Sequence, residues 1–169
     1  MQRELRACSF TGHRPKSFSF GYNEETPEFN QLKNRIRDAI ISVCNLGCRT
    51  FYCGMAEGVD LWSGEIVLEL RDSYDPPLEI NAVVPYLSQP EKMTSMNQNR
   101  YRKIMEASKE RFLVARDYHR LCYQKRNYFL VNSCDVLIAV LQSENDRSGT
   151  AQTIRMAKKK NKKVILIEP

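Results

Sequence analysis

The stretch Phe51 to Glu65, F-Y-C-G-M-A-E-G-V-D-L-W-S-G-E, decides how the chain folds. Phe51, Tyr52 and Cys53 form a short apolar run of strand character, and Gly54 stops it. From Gly58 the period changes. Val59, Trp62, Ile66 and Leu70 recur at helical spacing, so a strand runs into a helix through a tight Gly-x-x-x-Gly turn. Gly54 is expected to take backbone angles that other residues avoid. Gly58, with no Cβ, is expected to let a ligand or a neighbouring chain approach the helix start. A helix start offers unpaired N–H groups and the positive end of the dipole, which suits phosphate. The spacing equally fits a plain strand-to-helix turn whose glycines only relieve crowding, because a lone glycine loop is a weak motif.

Outward from this turn, strand and helix signals alternate. Cys8, Ser9 and Phe10 open a first strand, expected to break at Thr11-Gly12-His13-Arg14-Pro15. Thr26-Pro27 announces a helix, with Thr26 as N-cap and proline at its first position. Phe29, Leu32, Ile36, Ala39, Ile40 and Val43 mark the buried stripe, and Gly47 is a good C-terminal stop. The helix that follows Gly58 extends to about Ser73. Leu78 to Val84 reads as a third strand ended by Pro85. A helix near Ser95 to Ala107 and a short strand at Phe112 to Val114 follow. Leu121 to Val131 reads as a helix, and Val136 to Leu141 as a strand buried on both faces. Ser148-Gly149-Thr150 begins the last helix, and Val164 to Ile167 closes the sheet. Connections too long for hairpins argue for an α/β fold of the doubly wound, Rossmann-like kind. It would have a mostly parallel sheet of about six strands with helices on both faces. With no linker, repeat or low-complexity tract, residues 1–169 are expected to form a single domain.

Composition narrows the partners. A hydrophobic content of 42% and a charged content of 27% are ordinary for a globular protein. No apolar run approaches the ~20 residues of a membrane helix. The opening M-Q-R-E-L-R lacks the apolar core of a signal peptide, so a cytoplasmic protein with no membrane partner is expected. Six cysteines include no C-x-x-C pair, which favours reduced thiols packed as small hydrophobes over disulfides or a metal site. The net charge of +6 permits an anionic partner. Much of it lies in Lys158, Lys159, Lys160, Lys162 and Lys163, which follow the last helix as a solvated face.

Ligands of doubly wound sheets bind beyond the carboxyl ends of the strands. Three glycine-bearing loops are expected there: Gly12, Gly54 to Gly58, and Gly149. Thr11, His13 and Arg14 offer donors and a fixed charge. Glu57 and Asp60, flanking Gly58 beside Met55 and Ala56, offer acceptors for ribose hydroxyls. Ser148 and Thr150 offer hydroxyls beside a helix start. Arg126-Asn127 lies on the helix before the most buried strand. Arg126 is either a phosphate clamp or an ion-pair partner of Glu57 or Asp60. Plainer roles stand beside these: His13 as an exposed turn residue, Asp60 as a complement to the helix dipole, and Trp62 as core.

With these residues in view, the sequence resembles the YpsA-like branch of the SLOG superfamily, which also includes the DprA and LOG proteins. The matching pieces are T-G-H-R-P (Thr11 to Pro15), G-M-A-E-G-V-D-L-W (Gly54 to Trp62) and V-P-Y-L-S-Q (Val84 to Gln89). K-R-N-Y-F-L-V (Lys125 to Val131), S-C-D-V-L-I-A-V (Ser133 to Val140) and S-G-T-A-Q-T (Ser148 to Thr153) follow in family order. The resemblance implies a Rossmann-like fold and a nucleotide-type ligand, held by the Gly54 and Gly149-Thr150 loops. A nucleotide or ADP-ribose-like compound is the cofactor-like ligand it suggests. Where LOG enzymes resemble G-T-x-x-E and use the glutamate in N-glycosidic cleavage, this chain has Thr153. A neutral side chain there cannot act as general base, which counts against a LOG-type hydrolase; Glu57, on the facing loop, is the candidate substitute. Three functions stay open: a nucleotide-binding sensor or regulatory domain, an N-glycosidic phosphoribohydrolase, and DprA-like binding of single-stranded DNA. A homo-oligomer is compatible with each.

Overall fold

A computed structural model describes residues 4–142 and 147–169. Six strands alternate with five α-helices: β1 (Ala7–Gly12), α1 (Pro27–Asn45), β2 (Thr50–Cys53), α2 (Val59–Leu70), β3 (Glu79–Tyr86), α3 (Ser95–Ala107), β4 (Glu110–Ala115), α4 (Cys122–Ser133), β5 (Val136–Val140), α5 (Gly149–Lys159) and β6 (Lys163–Ile167). Every pairing is parallel, and the strand order is β4-β3-β2-β1-β5-β6. The chain winds outward from β1 one way through β2, β3 and β4. It then crosses back to β5 and β6. The order therefore reverses between β1 and β5, where a doubly wound sheet opens a crevice. The α/β, Rossmann-like fold expected from the sequence is the observed one.

Helices α1, α2 and α3 cover one face of the sheet and α4 and α5 the other. The larger core lies under the first face, where Phe10, Phe51, Leu32, Ile36, Ile40, Leu61, Trp62 and Ile66 are fully buried. A smaller core under α4 and α5 collects Val131, Leu137, Ala139, Ile154 and Ala157. Trp62 is core: Phe18, Phe20 and Phe29 pack around it, and its indole N–H donates to Glu24 at 2.9 Å. Removing an aromatic of this size from such a cluster costs about 3–5 kcal/mol. All six cysteines are buried free thiols.

Helix boundaries follow local chemistry. The Thr26 hydroxyl accepts from the Phe29 N–H at 3.2 Å with Pro27 at the first position, and Gly47 takes φ +98° past the end of α1. Two strand ends differ from expectation. β1 continues through Thr11 and Gly12, because these residues pair with Ala139 and Val140 of β5. β3 runs through Pro85 to Tyr86. Its pairing with β2 ends at Ala82, so a residue without an N–H loses nothing on that side. α2 ends at Leu70 and a single 3-10 turn, Arg71–Ser73, finishes the segment. Among the described residues no helix is long and apolar enough to cross a membrane.

Candidate functional site

A cavity of about 340 Å³ opens where the strand order reverses. It is walled by the end of β1 (Thr11 to Arg14), by Ala56 and Asp60, by Tyr123, Arg126 and Asn127 of α4, and by Ser148, Gly149 and Thr150 at the start of α5. Three loops distant in sequence thus meet at one rim.

Their glycines follow the plainer of the two expected readings, relief of crowding, and the backbone-angle role expected of Gly54 does not hold. Gly54 has ordinary backbone angles, and the positive φ (66°) falls on Met55, whose side chain is fully buried. Gly54 lacks a Cβ for another reason: such an atom would lie 2.7 Å from the Arg126 guanidinium and 2.8 Å from the Asp60 carboxylate. Gly58 does have a positive φ, 92°, but what approaches it is the chain itself. A Cβ there would lie 2.6 Å from the His13 carbonyl oxygen, and that oxygen accepts from the Val59 N–H at 3.5 Å. The start of α2 is therefore capped by the β1 loop. Gly12 lines the cavity but is pressed against Val59, 2.4 Å from the position a Cβ would take. Of these loop glycines Gly149 is the least crowded: among the described residues the Asn127 amide nitrogen, 4.0 Å away, is the nearest neighbour a Cβ would meet.

That glycine begins α5. Ser148 is the N-cap, and its hydroxyl accepts from the Ala151 N–H at 3.2 Å. The N–H groups of Gly149 and Thr150 have no acceptor inside a helix and aim at its N-terminal side, where the dipole favours negative charge. No acidic side chain lies in this first turn.

Arg126 forms the cavity floor. It is buried, and one Nη donates to the Gly54 carbonyl and, at 3.3 Å, to Asp60 Oδ2. Its Nε donates to Asn127 Oδ1 at 2.8 Å. Asp60 Oδ2 also accepts from the Ala56 N–H at 3.2 Å, which folds the β2–α2 turn around the carboxylate. Burial pushes the Asp60 carboxyl above its usual range and the guanidinium opposite restrains the rise, while burial lowers the Arg126 pKa. A second guanidinium, Arg14, stacks on Tyr123 at 4.8 Å, with Arg126 at 5.6 Å from the same ring. Among the described residues the lining carries two guanidiniums, Arg14 and Arg126, and one carboxylate, Asp60.

Of the residues singled out from sequence, Thr11, Gly12, His13, Arg14, Ala56, Asp60, Arg126, Asn127, Ser148, Gly149 and Thr150 line this cavity. Gly54, Met55 and Gly58 shape the turn beneath it. Glu57 points elsewhere: its carboxylate accepts from Asn97 at 2.5 Å and from the Tyr22 hydroxyl at 3.4 Å. Arg126 pairs with Asp60, not Glu57. His13 is buried and packs edge-on against Phe18. Thr153 is buried too, its hydroxyl donating to the Gly149 carbonyl at 2.7 Å. Sequence reading passed over Phe10, Ser17 and Tyr123 as lining residues. Tyr123 carried a usable signal, three positions before Arg126 and so on the same helix face. Among the described residues no cluster of His, Cys, Asp or Glu suits a metal ion.

The sequence profile of the YspA SLOG family matches residues 8–169, and the chain belongs to that family. Its relatives include UPF0398 protein YpsA of Bacillus subtilis, 24% identical over 159 residues, covering 89% of this chain and 87% of that protein. A UPF0398 protein of Bacillus cereus is 26% identical over 159 residues, covering 92% of this chain and 84% of the relative. One from Brevibacillus brevis is 26% identical over 140 residues, covering 82% and 74%.

Proposed function

We propose that this chain binds a nucleotide or nucleotide derivative, of the nucleoside phosphate or ADP-ribose kind, as a sensor or regulatory domain. One observation carries the reading: a concave site at the switch point has two guanidiniums facing one carboxylate beside a helix start. In a low-dielectric crevice those guanidiniums favour an anion, and the α5 amides supply directional donors for its oxygens. The volume falls within the usual range for small-ligand sites. Asp60 is better placed than Glu57 to meet a ribose hydroxyl, since it lines the cavity and Glu57 does not.

The hydrolase reading draws no comparable support. Glu57 is engaged by Asn97 and Tyr22, and Thr153 is engaged by the Gly149 carbonyl. Calorimetry against phosphate, pyrophosphate, nucleoside mono- and diphosphates and ADP-ribose tests the proposal. At least one phosphate ester is expected to bind, and Gly149→Val, which projects a side chain into the crevice, to weaken it about tenfold or more. No heat from any of these compounds refutes it.

A further inference from the structure

Tyr123, which lines the crevice, belongs to an aromatic cluster that an anion alone does not need. Its ring touches Tyr86 at the end of β3, with ring centroids 5.8 Å apart and planes at 86°. Tyr118, in the β4–α4 connection, packs edge-on against both, 5.3 Å from Tyr86 and 6.5 Å from Tyr123. Tyr86 is buried and Tyr123 half-buried, and the hydroxyls of these two lie 3.3 Å apart. Tyr118 is different: 61% of its surface is exposed although its ring is oriented by two others. An aromatic ring held in place by neighbours, yet left open to water, is a preorganised stacking surface. The cluster already accepts a planar cationic group in Arg14 over Tyr123.

Position along the rim gives the direction. The α5 start lies above β5 and β1, while Tyr86 ends β3, two strands beyond β1. β5 to β3 is three inter-strand spacings, roughly 14 Å. The charged pair Asp60–Arg126 lies between these poles, at the end of β2. A ligand filling this line would put phosphate at α5, a polar sugar at Asp60, and an aromatic ring at Tyr118.

The geometry points to Tyr118, backed by Tyr86 and Tyr123, as the platform for the base of the ligand, with the phosphate fixed at the opposite end by Gly149 and Thr150. This inference rests on the phosphate-binding reading of the same crevice and adds an orientation to it. The bound class becomes a mononucleotide-derived compound with an intact base. Base–aromatic contacts of this type are removed by alanine substitution at a loss of roughly 5- to 140-fold in affinity.

Calorimetry with the full chain separates the two ends. Adenosine and guanosine 5′-diphosphates are compared with the free nucleosides, pyrophosphate, ribose 5-phosphate and a single-stranded oligonucleotide, on wild type, Tyr118→Ala and Tyr118→Phe. Because Tyr118 is exposed, both variants are expected to fold, and their thermal melts check this. The expected result is that nucleotides bind at least tenfold tighter than ribose 5-phosphate. Tyr118→Ala should erase that advantage, Tyr118→Phe should keep it, and pyrophosphate binding should be the same in all three. Equal binding of nucleotide and ribose 5-phosphate, or a Tyr118→Ala variant that binds nucleotides as wild type does, overturns the platform while leaving the anion site standing. Nucleosides binding through Tyr118 with no gain from phosphate would instead overturn the anion reading alone. Tight binding of single-stranded oligonucleotides without binding of any mononucleotide overturns both, as does silence from every compound.

Discussion

Replacing Asp60 by alanine leaves the Arg126 guanidinium buried without its counter-charge. Both side chains of the pair are more than nine-tenths buried, at 8% and 7% exposure, and lie 3.3 Å apart. Breaking a buried pair by removing one partner costs about 3–5 kcal/mol, because the remaining charge stays desolvated. The Ala56 N–H also loses its acceptor, which adds about 1–3 kcal/mol where the donor stays dry. The two penalties overlap, so about 4 kcal/mol is the working figure. For a chain of 169 residues each kcal/mol moves the melting point by about 2–4 °C, giving a fall of about 8–16 °C. The neutral double variant Asp60→Leu with Arg126→Met removes both charges and should recover at least half of the lost stability. Urea unfolding followed by circular dichroism measures all three proteins. An Asp60→Ala variant within about 1 kcal/mol of wild type would refute the account of the pair as a desolvated, mutually dependent unit.

Four further outcomes are expected. Gly12→Ala should destabilise the fold by about 1–3 kcal/mol, since its Cβ would meet Val59 at 2.4 Å, whereas Gly149→Ala, with 4.0 Å of clearance, should leave the urea midpoint unchanged. Glu57→Gln should leave the affinity for phosphate compounds within about twofold of wild type by calorimetry, because its carboxylate lies outside the cavity. Burial pushes the Cys48 thiol up to about 12 and raises Cys8 and Cys53 as well, so a thiol reagent at neutral pH should label these residues slowly until urea unfolds the chain. Burial raises the Glu69 carboxyl, but the hydrogen bond from Arg37 and the charge of Lys33 outweigh it, so the folded pKa lies below the unfolded value. The stabilisation is then present above the unfolded pKa and is lost as pH falls through the folded one. Unfolding from about pH 5 to about pH 3 should therefore show a shallower acid loss in Glu69→Gln.

The order of elements was legible because α1, α3 and α5 carry side-chain caps at their starts and most strands are apolar and short. Thr26-Pro27 and Ser148-Gly149 announce α1 and α5 by capping chemistry that operates within four residues. Strand ends were less legible. Whether β1 stops at Phe10 or Gly12 depends on how far β5 accompanies it, and that is a property of the pairing, not of Thr11. Which of the two glycine readings holds, ligand approach or relief of crowding, was illegible for a related reason. Gly54 and Gly58 looked like ligand-facing residues, yet the atoms that crowd them belong to Arg126 and His13, which lie 72 and 45 positions away in sequence. Arg126 itself was noticed as a charge near a buried strand. Its choice of Asp60 over Glu57 followed from the turn at Met55, which directs Glu57 toward Asn97.

The guanidinium of residue 126 is at once a latch and a floor. It ties α4 to the β2–α2 turn through the Gly54 carbonyl, and the same atoms form the bottom of the crevice. Functions that share one group cannot drift apart: a change at 126 that reshapes the bottom also unfastens the turn. Residue 149 has no such second duty. The shape of the crevice is thus entangled with the scaffold at the Arg126 end and separable from it at the Gly149 end, where a substitution can remodel the wall without putting the fold at risk.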